Sequence, residues 1–146
     1  MKSIEKLEQA KKFCKRNELV YYNQSRIQSI LGDNTSAINT IEEWLTIKPY
    51  DIQGLRLQGF YYELNNQTEK ANENYLTVKR LTEKKVKNEN AELTILMNDF
   101  ILKDTVGFSK KIDELTIKYK EAPSRLLFLE GLKGIDRKEF IKQQIQ

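Results

Sequence analysis

Histidine is absent from the 146 residues, and Cys14 is the one cysteine. The first absence removes the commonest general base, the nucleophilic triads built on it and most zinc and iron sites. The second rules out an internal disulfide or a thiolate cluster and fits a reducing compartment; Cys14 reads as a small apolar residue beside Phe13. Two prolines and six glycines are too few for a loop-rich or all-β chain. No apolar run approaches the roughly 20 residues of a membrane span. Met1 to Arg16 is charged and lacks the apolar centre of a secretory signal, so a cytoplasmic location is expected unless a leader has been removed. P-loop and glycine-rich dinucleotide motifs are missing. Asp33 to Trp44 opens like a calcium loop, but Ile38 replaces its glycine and Trp44 its bidentate glutamate. Glu42 and Glu43 are adjacent, hence about 100° apart on a helix, and read as a solvated face. No enzyme, metal or cofactor is expected.

What is present suits a helical domain: 39% apolar and 32% charged residues, in one domain's length of chain. The formal charge of +4 is unevenly spread. Met1 to Asn17 carries six basic residues against Glu5 and Glu8, for +4, whereas Asp33 to Tyr75 carries three against seven acidic ones, for −4. This polarity is too mild to specify nucleic acid.

Displacing the sequence by 34 residues superimposes small on small and large on large: Ser25 on Gly59, Ala37 on Ala71, Ile41 on Tyr75, Trp44 on Val78, Tyr21 on Leu55. A fixed period of this length marks stacked helical hairpins. Close-packed helices need a small residue where they cross, and Gly59 with Ala71, like Ser25 with Ala37, supplies one. Gly32 suits a left-handed helix end and Pro49 a stop. Asp33 to Ser36 form a turn and cap cluster, and Asp51 and Thr68 are caps for the fourth and fifth helices. Ser3 can cap a first helix with Ile4, Leu7, Ala10, Phe13 and Cys14 along one stripe. The next terminator, Pro123, comes six residues late, which places an insertion in the polar run Glu83 to Asn90. Helices are then expected over Ala91 to Leu102, Ser109 to Tyr119, Ser124 to Leu132 and Asp136 to Ile145, with Leu126, Leu127, Leu129 and Phe140 closing the stack.

Leu55, Gly59, Tyr62, Ala71, Tyr75 and Val78 resemble one tetratricopeptide repeat, and Ser25, Gly32, Ala37, Ile41, Trp44 and Pro49 the repeat before it. The resemblance covers Glu18 to Lys85; Gln28, Asn66 and Glu83 depart from the pattern. It implies an all-α, right-handed stack of antiparallel hairpins: one domain over residues 1–146, with clear repeats at 18–85 and a degenerate hairpin and cap at 91–146. In that family the first helices line a concave groove that holds a protein or peptide. Here they would contribute Leu19, Tyr22, Asn23, Arg26 and Ile30, then Gln53, Arg56, Leu57, Phe60 and Leu64. The expected partner-binding set is Tyr22, Asn23, Arg26, Arg56, Leu57 and Phe60, although Leu57 and Phe60 serve equally for packing on a third hairpin. Tyr22 and Arg26 stand where family members that clamp chaperone tails carry Lys and Asn, so that ligand is not expected. An adaptor, a chaperone, a toxin-neutralising immunity protein and a homodimer all fit. A basic helical protein on nucleic acid and an envelope-associated subunit are the alternatives.

Overall fold

Local chemistry sets the helix boundaries in the first half. The computed structural model describes residues 2–14, 16–85, 89–102 and 105–145. These form α1 (Lys2–Phe13), α2 (Glu18–Ile30), α3 (Asn34–Ile47), α4 (Ile52–Leu64), α5 (Thr68–Lys85), α6 (Glu89–Ile101), α7 (Thr105–Lys118), α8 (Pro123–Gly134) and α9 (Arg137–Ile145), and no strand. The expected all-α class is therefore observed among the described residues. Asn17 caps α2 by accepting from the Leu19 N–H, Asp33 caps α3 through the Ser36 N–H, and Asp51 caps α4 through the Gly54 N–H. Thr68 and Ser3 are not caps; each lies inside its helix.

The 34-residue displacement reappears in the backbone. Gly32 and Asn66 both take positive φ, +86° and +58°. Each sits in the same C-terminal lock: the Asp33 N–H donates to the Gln28 carbonyl, and the Gln67 N–H to that of Tyr62. Asn is the next-best residue to Gly for this conformation, which is why Asn66 serves where glycine is usual. First helices of successive hairpins begin at Glu18, Ile52, Glu89 and Pro123, intervals of 34, 37 and 34 residues. Second helices begin at Asn34, Thr68, Thr105 and Arg137, intervals of 34, 37 and 32. The interruption is thus three residues rather than six. Pro123 misled because it opens α8 instead of ending α7; a proline at the first helical position lacks only an N–H that has no partner there. α5 continues unbroken to Lys85, and residues 86–88 of the expected insertion lie outside the described residues.

Where the sequence reads as one domain, the chain divides into two units, one running to Leu81 with Ile145 added, the other from Thr82 to Gln144. In the first, α2 and α3 are antiparallel, since contacts pair Ser29 with Asn34, Gln28 with Thr40 and Tyr21 with Trp44. α4 and α5 repeat this through Glu63 with Tyr75 and Gln58 with Asn74. α2 and α4 run parallel, joined by Tyr22 to Asp51 and Ser25 to Tyr61. Tyr21, Ser25, Ala37, Ile41 and Trp44 are buried, and so are their counterparts Leu55, Gly59, Ala71, Tyr75 and Val78. At the second crossing a Cβ on Gly59 would stand 2.3 Å from the Tyr75 ring, so it is this ring, one turn beyond Ala71, that demands glycine.

The second unit is built on Leu96, Ile112, Leu115, Tyr119, Leu129 and Leu132. Phe100 against Phe108 and Glu92 against Lys118 make α6 and α7 antiparallel; Arg125 over Tyr119 and Lys133 beside Asp113 do the same for α7 and α8. Leu129 and Phe140 are buried as expected of closing residues, but Leu127 is 74% exposed. The side chain of Leu126 lies outside the described residues.

Candidate functional site

Two of the first helices are shaped very differently. α4 buries Gly54, Leu55, Leu57, Gln58, Gly59, Phe60 and Tyr61, a set that wraps most of its circumference, as for a helix with neighbours on several sides. Leu57 and Phe60 are therefore core residues and not a contact surface; the Phe60 ring packs on Tyr75 at 6.0 Å. Tyr22 is also turned inward. Its hydroxyl donates to Asp51 Oδ2, which further accepts from Trp44 Nε1 at 2.9 Å and the Gly54 N–H at 2.9 Å. Burial alone would raise the Asp51 pKa, but these donors and Lys48 beside it hold the carboxyl below its ordinary value. Burial, reinforced by Asp51, pushes the Tyr22 phenol upward. Tyr22 thus locks α2, α3 and the start of α4 together, a role its groove assignment did not foresee.

Asn23, Arg26 and Arg56 keep exposure. Asn23 is fully in solvent, while the two arginines are half-buried. The Nε atoms of Arg26 and Arg56 are buried and have no hydrogen-bond partner among the described residues. Desolvation lowers the Arg56 pKa. Near Arg26, the Tyr61 hydroxyl meets Ser25 Oγ at 3.0 Å, and burial pushes this phenol up to about 12. Gln53 and Leu64 are also half-buried.

The outer face of α2 is open. Leu19 and Ile30 are each 60% exposed and bracket Asn23, Arg26 and Ile27 along one helical stripe. Two hollows lie along it. One, of about 460 Å³, is lined by Ser3, Lys6 and Leu7 of α1 and Asn23, Arg26, Ile27 and Ile30 of α2. The other, of about 630 Å³, lies at the α1–α2 turn between Phe13, Arg16 and Leu19. The structure thus unites Asn23 and Arg26 with α1 residues that the sequence reading left out, and it withdraws Tyr22, Leu57 and Phe60 from the surface.

The α1 residues escaped notice because their apolar stripe was expected to end in the core. Phe13 is instead 88% exposed and Cys14 is exposed, since α1 stops at Phe13 and the chain turns at Cys14–Asn17. The residue that α1 buries is Lys11. Its ammonium donates to Glu43 at 2.7 Å, approaches Glu8 at 3.3 Å and lies over the Tyr21 ring. Desolvation opposes the charge, but Glu43 and Glu8 outweigh it and the Lys11 pKa is raised. Spacing of Lys11 three residues after Glu8 was the one local signal of that arrangement.

No protein-family model, curated protein or solved structure matches the chain. No helix among the described residues is long and apolar enough to cross a membrane, and no three metal-ligating side chains gather among them.

Proposed function

We propose that this chain is a non-enzymatic protein-binding module of the tetratricopeptide kind. Its hairpins would stack into a right-handed superhelix, and a peptide or helical segment of a partner would lie along α2 and its groove with α1. Adaptor, chaperone and immunity roles all use such a surface. One observation carries the reading: Phe13, Leu19, Ile30 and Leu31, four large apolar side chains, are 60% or more exposed within a single short stretch of chain. Surface apolar residues scattered singly need no explanation, but a contiguous group on a helix beside unpaired cations has the composition of an interface. Asn23 and Arg26 supply the polar contacts on this face.

The test is affinity capture from the source cell with the wild-type chain, a Leu19→Asp/Ile30→Asp variant and a Leu127→Asp control. Leu127 is equally exposed but belongs to the other unit. Partner recovery should fall by tenfold or more, about 1.4 kcal/mol, in the α2 variant alone, with its melting temperature unchanged. Equal recovery from all three samples overturns the proposal.

A further inference from the structure

The hollow between α1 and α2 carries a chemical bias that narrows the partner. Its floor is apolar, from Leu7, Ile27 and Ile30, and its polar rim holds two cations, Lys6 and Arg26, with Ser3 and Asn23 and no carboxylate. Neither cation forms an ion pair with a described residue, although other lysines of the same unit do: Lys11 with Glu43 and Glu8, and Lys48 with Glu18 and Asp51. Arg26 adds a buried Nε with no partner. A guanidinium held by its stem against an apolar wall loses hydration on one side, so an incoming carboxylate meets less competition from water than it would at a fully exposed lysine. The hollow also faces away from the α2–α4 contact, to which Tyr22 and Ser25 are committed.

We infer that the Lys6–Arg26 hollow receives an acidic amphipathic peptide segment of a partner protein, with an Asp or Glu carboxylate between the two cations and an aliphatic side chain against Leu7, Ile27 and Ile30. The inference rests on the binding-module reading above and specifies its partner by charge. Charge complementarity decides between occupants. A purely apolar helix would leave Lys6 and Arg26 facing it without counter-charge, and a basic segment would be repelled. The guanidinium plane offers two parallel N–H groups to one carboxylate, whereas Lys6 contributes a point charge that also steers approach.

The experiment is selection of a random dodecapeptide display library on the full chain, on Lys6→Glu, and on the control Lys120→Glu, an exposed site in the other unit. Lys6 is exposed on α1, so its reversal leaves the fold intact, which the melting temperature checks. Selected peptides should be rich in Asp or Glu beside Leu or Ile. A synthetic copy should bind Lys6→Glu about fivefold or more weakly, bind Lys120→Glu normally, and weaken as salt is raised. Neutral or basic selected peptides, or acidic ones indifferent to Lys6→Glu, overturn the inference while leaving the binding-module reading in place. A library from which no peptide is enriched overturns both.

Discussion

The crossing position separates the two units of the molecule. The eighth residue of the first helix is Ser25 or Gly59 in the hairpins of the first unit, but Leu96 in α6 and Glu130 in α8. The fourth residue of the second helix is Ala37 or Ala71 in the first unit, but Phe108 in α7 and Phe140 in α9. One unit therefore keeps its crossings small and lays a neighbouring ring over them, as Tyr75 lies over Gly59. The other fills the same register from the crossing residues themselves: Leu96 is fully buried, and Phe100 contacts both Phe108 and Phe140. The lesson is that the hairpin period fixes where helices begin and end, while two different packings can satisfy the space between them.

That comparison can be broken from either side. The largest effect is expected at Leu96, where truncation to Ala leaves a cavity and should cost roughly 2–5 kcal/mol, measured by urea unfolding. Next comes Gly59→Ala, the opposite change at the equivalent position. Adding one methyl 2.3 Å from the Tyr75 ring should cost about 1–3 kcal/mol, and a second change, Tyr75→Leu, should recover part of it. If Gly59→Ala is neutral, or Leu96→Ala is milder than Gly59→Ala, the two crossings are not packed in these two ways.

The smallest effect concerns the polar device that only the first unit places at its centre. Asp51 has a folded pKa below the ordinary 3.8, so its stabilisation is fully present above that value and is lost as the pH falls through the folded pKa. Trp44, the only tryptophan, donates to this carboxylate and reports its state. Wild-type Trp44 fluorescence should change below pH 3.8 as stability declines, by on the order of 1 kcal/mol, and Asp51→Asn should remove that acid step. An identical acid step in Asp51→Asn would assign it to other carboxylates, such as Glu92, whose pKa is also lowered, chiefly by Lys118.

What the sequence determined by itself was local. Asp51 and Asp33 as caps, Gly32 as a left-handed end, the 34-residue phase and the burial of Ala37, Ala71, Ile41 and Tyr75 all follow from interactions within a turn or between helices adjacent in the chain. Such contacts depend on a few neighbours whose spacing can be counted. The second unit was less legible because Leu96 and Phe108 replace the small residues that mark a crossing, and because Pro123 can open a helix as well as follow one.

Only tertiary structure decided which face of each helix remains open. Tyr22, Leu57 and Phe60 have the composition of an interface, yet Asp51 and the neighbours of α4 consume them; Phe13 has the composition of a core, yet the turn after α1 leaves it in water. Lys11 is buried because Glu43, 32 residues away, compensates its charge. The physical reason is common to all of these. Periodicity states which residues share a face, but burial depends on how many other helices reach that face, and that number is set by contacts distant in sequence.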